Sequence, residues 1–155
     1  MSTLHPPAPP VQADLARRLR AVGLQPTRQR LAVAALMLAR PTHQTAEQVL
    51  VALRERPSPG GDSTGRPVRI SRATVYATLA QFARAGLLRE LHTGCAVVYD
   101  SKPTVHHHWL DVDSGEVHDL PAGVSLQVSG LEHLPEDLRV QDLQLLLRVR
   151  RKSAA

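Results

Sequence analysis

The chain has 155 residues, 43% of them apolar, and a formal net charge of +5 at pH 7. This length allows one full-sized domain or two small ones and excludes a large catalytic barrel. With one Phe, one Trp and two Tyr, the core must be built from aliphatic side chains. No apolar run is long enough to span a bilayer and no secretory signal is visible, so the sequence predicts a cytoplasmic protein without membrane contact.

Charge is distributed unevenly along the chain. Residues 1–102 carry 14 basic and 6 acidic side chains, whereas residues 103–155 carry 5 basic and 8 acidic ones. Six of the eight histidines lie at His92 or beyond. The first part therefore suits a polyanion such as nucleic acid, and the second suits a cation. The single cysteine, Cys95, excludes an intrachain disulfide and a four-cysteine zinc site.

Three helices are predicted in the first 55 residues, after a leader (1–11) whose four prolines indicate disorder. The first helix has apolar positions at Leu15, Leu19 and Val22. It is expected to end at Gly23. Thr27 caps the second helix, and Thr45 with Gln48 forms a capping box at the third. The predicted buried face of the second helix consists of Leu31, Ala34, Ala35 and Leu38. That of the third helix consists of Ala46, Val49, Leu50 and Leu53.

A fourth helix follows a predicted flexible loop at 57–67, which is rich in Pro, Gly and Ser. Ser71 caps this helix, which runs to Gly86 and faces the core with Val75, Leu79 and Phe82. The opposite arc holds Ala73, Ala77, Ala80 and Arg84, flanked by Arg72, Thr74, Tyr76 and Gln81. Such an arc can approach a DNA major groove, although alanine is also the best exposed helix former. Alternation around Gly94 predicts a hairpin at 87–100, which completes a winged-helix pattern.

The last third of the chain is predicted to form a small sheet. Strands are expected at 106–112 and 116–120, joined by a turn at 113–115. A short helix is expected within 124–134 and a strand within 138–149. Three strands are marginal alone and are better buried against a partner, which favours a homodimer.

Three consecutive histidines at 106–108 indicate a metal site. On a strand, His106 and His108 point to one face and His107 to the other, so the first two can share an ion. Carboxylates close in sequence are Asp100, Asp111 and Asp119. Nitrogen and oxygen ligands without a thiolate suit Fe²⁺ or Mn²⁺, and less selectively Zn²⁺ or Ni²⁺. A single histidine would more often be structural, but three beside carboxylates favour a metal.

No catalytic residue is predicted. Two histidines and a carboxylate also serve non-haem iron oxygenases, but nothing here supplies the barrel that normally encloses such a site. A hydrolase would need a nucleophile elbow or a glycine-rich oxyanion loop, and the sequence has neither. The chain is therefore not expected to be an enzyme.

Five motifs carry a resemblance to a known family. They are GLQPTRQR at 23–30, HQTAE at 43–47, ISRATVY at 70–76, AGL at 85–87 and HHH at 106–108. Together they resemble the ferric uptake regulator superfamily across nearly the whole chain. The resemblance implies a homodimeric, metal-sensing bacterial transcription regulator with an α+β fold. Its expected parts are the leader (1–11), an N-terminal winged-helix DNA-binding domain (12–101) and a C-terminal α/β dimerisation domain that senses metal (102–155).

The resemblance also implies a sensing site with one regulatory ion per subunit. The family's ligand positions fall on His43, Asp100, His106, His108 and Asp119. The first two belong to the DNA-binding half and the other three to the second half, so one shared ion would join both. His107 with Asp142 is the candidate for a second, weaker metal site or, through the histidine run, a haem site.

DNA contacts are expected from the fourth helix and the start of the second: Arg28, Arg30, Ser71, Arg72, Thr74 and Tyr76. The expected DNA is a double-stranded, AT-rich inverted repeat in promoters, read by one helix per subunit. Ala77 stands where relatives commonly have Arg or Asn, which removes a base contact. The 57–67 loop is longer than usual, and either alters the approach to DNA or is a tolerated surface insertion.

This sequence departs from many relatives in its cysteines. Asp111 and Ser114 occupy the positions of the first Cys-x-x-Cys pair, and no C-terminal pair exists, so a structural Zn²⁺ is not expected. Segment 138–152 resembles the iron response regulator branch, which lacks those cysteines and responds to haem through its histidine run. The Cys-Pro haem motif common in that branch is absent, because Cys95 is followed by Ala96.

The leading interpretation is an Fe²⁺- or Mn²⁺-dependent repressor of metal-homeostasis genes. One alternative is a haem-responsive regulator, and another is a peroxide sensor in which bound iron oxidises His43 or His106. Outside this class stand a metal storage or delivery protein and a small metalloenzyme. Neither of these would need the basic winged-helix half.

Overall fold

A computed structural model of the chain describes residues 11–55, 69–150 and 152. The chain divides into two compact units, Met1–Pro103 and Thr104–Ala155. Residues 1–10 of the predicted leader and the whole of the predicted 57–67 loop lie outside the described residues, whereas Val11, also assigned to the leader, begins the first helix. Among the described residues, no helix is both long and apolar enough to cross a membrane.

The first unit contains four helices and three short strands. In chain order they are α1 (Val11–Ala21), α2 (Arg28–Met37), β1 (His43–Thr45), α3 (Ala46–Glu55), α4 (Arg72–Arg84), β2 (Arg89–His92) and β3 (Val97–Asp100). Strand β3 is central, with β1 and β2 antiparallel on either side. The predicted hairpin is confirmed by β2 and β3, whereas β1 was not predicted. Helices followed by this hairpin form the expected winged helix.

Local hydrogen bonds fix where the helices begin. The Thr27 hydroxyl accepts from the Arg30 amide, and the Ser71 hydroxyl accepts from the Thr74 amide, so both predicted caps are confirmed. At α3 the Thr45 amide donates to the Gln48 side chain at 2.8 Å, while the Gln48 amide donates to the Thr45 hydroxyl at 3.2 Å. This reciprocal pair is the predicted capping box.

The core of the first unit is aliphatic around a single phenylalanine. The predicted faces of α3 and α4 are confirmed, since Ala46, Val49, Leu50, Leu53, Val75, Leu79 and Phe82 are all buried. The prediction for α2 was partly wrong: its buried residues are Ala32, Val33, Ala34 and Met37, with Leu31 and Ala35 half-buried. Helix α2 is covered on more than one side, so its apolar residues do not form one stripe. Val22, predicted on the face of α1, follows the helix end and is exposed.

The second unit is a three-stranded sheet. Its strands are β4 (His108–Asp111), β5 (Val117–Asp119) and β6 (Leu146–Val149), with β4 in the centre, antiparallel to β5 and parallel to β6. The predicted turn is confirmed, with Gly115 in the left-handed region at φ +76°. The strands are shorter than predicted, and His106 and His107 precede β4 rather than lie within it.

Two predicted elements of the second unit are shorter than expected. The helix expected within 124–134 is only a 3₁₀ turn at Leu131–His133, because Gly130 adopts φ +83° and the segment packs no apolar face. The strand expected across 138–149 is confined to Leu146–Val149. Strand β4 offers four residues for pairing, and β6 uses all of them.

Candidate metal centre and DNA-reading helix

Three predicted ligands meet in the second unit, around the start of β4 and the end of β5. The ligand atoms of His106, His108 and Asp119 lie within 4.8 Å of one another. Strand pairing places His108 opposite Asp119, and the His106 and His108 rings are 4.3 Å apart between centroids. The Nε2 atoms of His106 and His108 lie 3.1 and 3.8 Å from Asp119 Oδ1.

The hydrogen bonds of His106 orient it for a cation. Its Nδ1 lies 2.7 Å from the Thr104 carbonyl oxygen, which can only accept, so Nδ1 is the donor. A neutral ring then turns the lone pair of Nε2 toward the carboxylate of Asp119, which also only accepts. Either a proton on Nε2 or a metal cation between the two atoms satisfies both. Neighbouring ligands of an octahedral ion with bonds of about 2.1 Å lie about 3 Å apart, which the 3.1 Å separation matches.

The other two predicted ligands are paired in the first unit. His43 and Asp100 are partners across β1 and β3, and His43 Nε2 lies 3.5 Å from Asp100 Oδ1. Asp100 is fully buried, and its Oδ1 also accepts from the Lys102 amide at 2.8 Å. A buried carboxylate needs compensating partners, so this position suits a histidine and a cation.

The candidate second site is less developed in the described residues. Its two members, His107 and Asp142, belong to no group of three or more ligand residues there. His107 is half-buried, and its Nδ1 makes no hydrogen bond within the described part of the chain, whereas Asp142 is exposed. The pairing of these two residues therefore stays a prediction.

Asp111 has a structural role in the turn between β4 and β5. Its side chain is buried, and Oδ1 accepts from the backbone amides of Asp113 at 2.9 Å and Ser114 at 3.3 Å. These bonds close the turn between the two strands. The carboxylate of Asp111 is not among the grouped ligands of the described residues.

The predicted DNA-contacting residues of α4 lie at its N-terminal end. Ser71 caps the helix, and its hydroxyl lies 2.8 Å from that of Thr74. Tyr76 is 44% exposed although its ring is large, and Arg72 is also exposed. Ala73 and Ala77 lie on the same exposed side, so polar groups and small side chains share one accessible face.

Glu47, near the start of α3, binds two of these residues. Its Oε2 lies 3.0 Å from Arg72 Nη2, and its Oε1 accepts from the Tyr76 hydroxyl at 3.0 Å. The hydrogen bond to Glu47 is the main cause that raises the pKa of Tyr76 above its ordinary value of 10.0. The sequence reasoning missed Glu47, because its partners are 25 and 29 residues away and no local pattern marks the contact.

The arginines predicted at the start of α2 are exposed or half-buried. Arg30 joins α2 to α4, since its Nε and Nη2 donate to Gln81 Oε1 at 3.2 and 2.9 Å. Its Nη1 donates to the Gln25 carbonyl at 3.0 Å. Gln81, expected to flank the outward arc of α4, is half-buried against this arginine. Arg28 is exposed.

Comparison with known proteins agrees with this architecture. A family model described as the ferric uptake regulator family matches residues 21–129. No curated protein matches the chain. Among solved structures, the ferric uptake regulator of Pseudomonas aeruginosa with manganese is similar at 28% identity and a TM-score of 0.59, covering 92% of this chain and 99% of that one.

Two further solved structures share the fold at lower identity. The ferric uptake regulator of Vibrio cholerae has 24% identity and a TM-score of 0.60, covering 88% of this chain and 98% of its own. That of Francisella tularensis with iron has 22% identity and a TM-score of 0.55, covering 82% and 91%. Because the family model spans well over half of the sequence, the chain belongs to the ferric uptake regulator family, whose members are dimeric, metal-responsive, DNA-binding transcription regulators and not enzymes.

Proposed function

We propose that this chain is a repressor of metal-homeostasis genes that binds its operator when Fe²⁺ or Mn²⁺ is bound. The observation that carries the proposal is the arrangement of His106, His108 and Asp119, whose ligand atoms lie within 4.8 Å of one another. Imidazole and carboxylate ligands without a thiolate fit these two ions. The related Pseudomonas aeruginosa regulator has been solved with manganese, which supports the choice.

His43 and Asp100, the ligand positions that the family resemblance implies in the first unit, are proposed as metal ligands as well. These two residues are already paired at 3.5 Å, and His108, like Asp100, is fully buried. When bound, an ion would neutralise the carboxylates of its site. If the form of the protein that fits DNA better also binds metal more tightly than the other form, this difference in metal affinity is the switch.

The proposed DNA surface is the exposed N-terminal part of α4. Here Thr74 and Tyr76 face the bases, while Ser71, Arg72 and Arg28 lie near phosphates, and Arg30 holds α4 in place through Gln81. Methyl groups of alanine and threonine suit the thymine methyl, which favours AT-rich DNA. A twofold dimer presents two such helices, so the operator is proposed to be an inverted repeat.

The proposed dimer surface lies in the second unit. Residues 121–145 form one 3₁₀ turn and no strand, and they expose a large set of apolar side chains. These are Val124, Leu126, Val128, Leu131, Leu134, Leu138, Val140 and Leu143. Exposed apolar surface on this scale is typical of an interface, and a second copy of the chain would cover it.

In vitro selection from random-sequence DNA tests this function. Metal-free protein and protein loaded anaerobically with Mn²⁺ or Fe²⁺ would each select duplexes, and the enriched sequence defines the operator duplex. We expect enrichment of an AT-rich inverted repeat only with metal, and an affinity that falls steeply as salt rises. Equal enrichment without metal would contradict metal control, and no enrichment under any condition would contradict the regulator assignment. Selection without metal that is abolished by haem would instead support the haem-responsive alternative.

A further inference from the structure

We propose that Glu47 is a specificity-determining residue, which holds Arg72 and Tyr76 in place and weakens binding to non-operator DNA. This inference rests on the proposed DNA-binding function. It assigns a role to an acidic side chain on a surface whose other expected contacts are basic or neutral. The two carboxylate oxygens of Glu47 each contact a different residue of α4, the proposed DNA-binding helix.

Both oxygens of the Glu47 carboxylate make contacts with α4. Glu47 Oε2 pairs with Arg72 Nη2 at 3.0 Å, while Oε1 accepts from the Tyr76 hydroxyl, also at 3.0 Å. Within the described residues, Glu47 is the acidic group that the Arg72 guanidinium pairs with. Both side chains of α4 are therefore oriented by one group on α3.

The positions of Glu47 and Arg72 at the starts of their helices favour the ion pair between them. Glu47 is in the first turn of α3, where a carboxylate is favoured by the helix dipole. Arg72 is the first residue of α4, where the dipole disfavours a cation. Pairing the two offsets this cost and fixes a flexible arginine in the absence of DNA.

The contacts of Glu47 with Arg72 and Tyr76 change which groups of this surface are available to DNA. Binding without sequence preference depends on phosphate contacts, and a phosphate must compete with Glu47 for the Arg72 guanidinium. The Tyr76 hydroxyl is already used as a donor, so the exposed ring is left for base contacts. Glu47 thus weakens the contacts of Arg72 with phosphates, which DNA of every sequence has. It also keeps Tyr76 oriented for base contacts that only the operator provides.

The test compares Glu47→Gln with Glu55→Gln in the full-length, metal-loaded protein. Glu55 is exposed at the other end of α3, so both variants remove one negative charge from the same helix. Fluorescence anisotropy would give the affinities for the operator duplex and for a scrambled duplex of equal composition, over a series of salt concentrations. Thermal unfolding would check that both variants fold.

We expect Glu47→Gln to bind the scrambled duplex about two- to fivefold more tightly than Glu55→Gln does. For Glu47→Gln, the plot of log affinity against log salt concentration should be steeper by roughly one unit of slope, since Arg72 becomes available to phosphate. Operator affinity should change less, so the ratio of operator to scrambled affinity falls. In an Arg72→Gln background, Glu47→Gln should have no such effect.

Identical behaviour of Glu47→Gln and Glu55→Gln on both duplexes would overturn the inference while leaving the proposed function intact. An undiminished effect of Glu47→Gln in the Arg72→Gln background would also overturn it, because the charge would then act without the arginine. Failure of the wild-type protein to bind either duplex would overturn the proposed function, and this inference with it.

Discussion

His106 Nε2 lies 3.1 Å from Asp119 Oδ1, while His106 Nδ1 is 2.7 Å from the Thr104 carbonyl oxygen. The carbonyl fixes a proton on Nδ1, so the second ring nitrogen is the one turned to the carboxylate. A metal cation between Nε2 and the carboxylate, or a proton on Nε2, makes this contact favourable. The proposed metal site is therefore partly arranged by contacts within the second unit alone.

Substitution of either residue should remove metal binding without unfolding the protein. For His106→Ala and Asp119→Ala we expect the affinity for Mn²⁺ to fall at least about tenfold, since changing even groups outside the ligand set costs that much. Competition with a chelating dye would measure it. The control is His118→Ala, whose ring stacks on Trp109 on the same sheet but is not among the grouped ligands. Unchanged affinity in both test variants would show that the ligand assignment is wrong.

Titration to alkaline pH should show a raised pKa for both tyrosines of the chain, Tyr76 and Tyr99. The hydrogen bond to Glu47 raises the pKa of Tyr76, and burial raises the pKa of Tyr99 above the ordinary 10.0. A raised folded-state pKa favours the protonated phenol, so its stabilising effect is present below pH 10 and is lost as pH rises through the folded-state value. The phenolate absorbance of each tyrosine should therefore have its midpoint above pH 10, and Glu47→Ala, which removes the acceptor, should lower the midpoint for Tyr76.

An early phenolate signal would contradict this account. If the ionisation midpoint of one tyrosine of the folded wild type lies below pH 10, its contacts do not favour the protonated form. Tyr99→Phe isolates the titration of Tyr76, and a midpoint in that variant unaffected by Glu47→Ala, which removes the acceptor, would exclude the hydrogen bond as the cause.

Gln44→Met should stabilise the first unit. Gln44 Oε1 is buried and makes no hydrogen bond within the described residues, beside a cavity of about 280 Å³ lined by Ala35, Leu36, Ala39, Arg40 and Ala52. A buried polar atom without a partner costs about 1–3 kcal/mol, and methionine has a similar volume without that atom. We expect the free energy of unfolding in urea to rise by about 1 kcal/mol. A decrease would mean that Oε1 is satisfied, for example by an ordered water.

Removal of metal should leave the second unit folded. Asp111 closes the turn between β4 and β5 through the amides of Asp113 and Ser114, so hydrogen bonds hold this turn. We expect protein treated with EDTA to contain no zinc by elemental analysis and to keep its far-ultraviolet circular dichroism. Tightly retained zinc at one equivalent per subunit, with unfolding on its removal, would refute this expectation.

Local signals in the sequence predicted the starts of the helices well. Thr27, Ser71 and the pair of Thr45 with Gln48 cap helices through hydrogen bonds that span three residues, so spacing alone identifies them. Strand β1 was not predicted, because three residues carry no periodic signal and form a strand only by pairing with β3.

The candidate metal ligands could be named from the sequence, whereas the contacts around them could not. Three consecutive histidines and a family resemblance were enough to select His106, His108 and Asp119, which the second unit brings together. The contact between Thr104 and His106 depends on the backbone path before β4, and the contacts of Glu47 depend on packing between α3 and α4. Such contacts become visible only when the elements have been placed.

The most direct test of the account is the DNA affinity of the wild type and of His106→Ala, with and without metal. Fluorescence anisotropy on the operator duplex would be recorded anaerobically while Mn²⁺, and separately Fe²⁺, is added. We predict tight binding by the wild type only with metal, and weak binding by His106→Ala at every metal concentration that saturates the wild type. Equally tight binding by metal-free wild type, or full metal response in His106→Ala, would contradict a switch operated through this site.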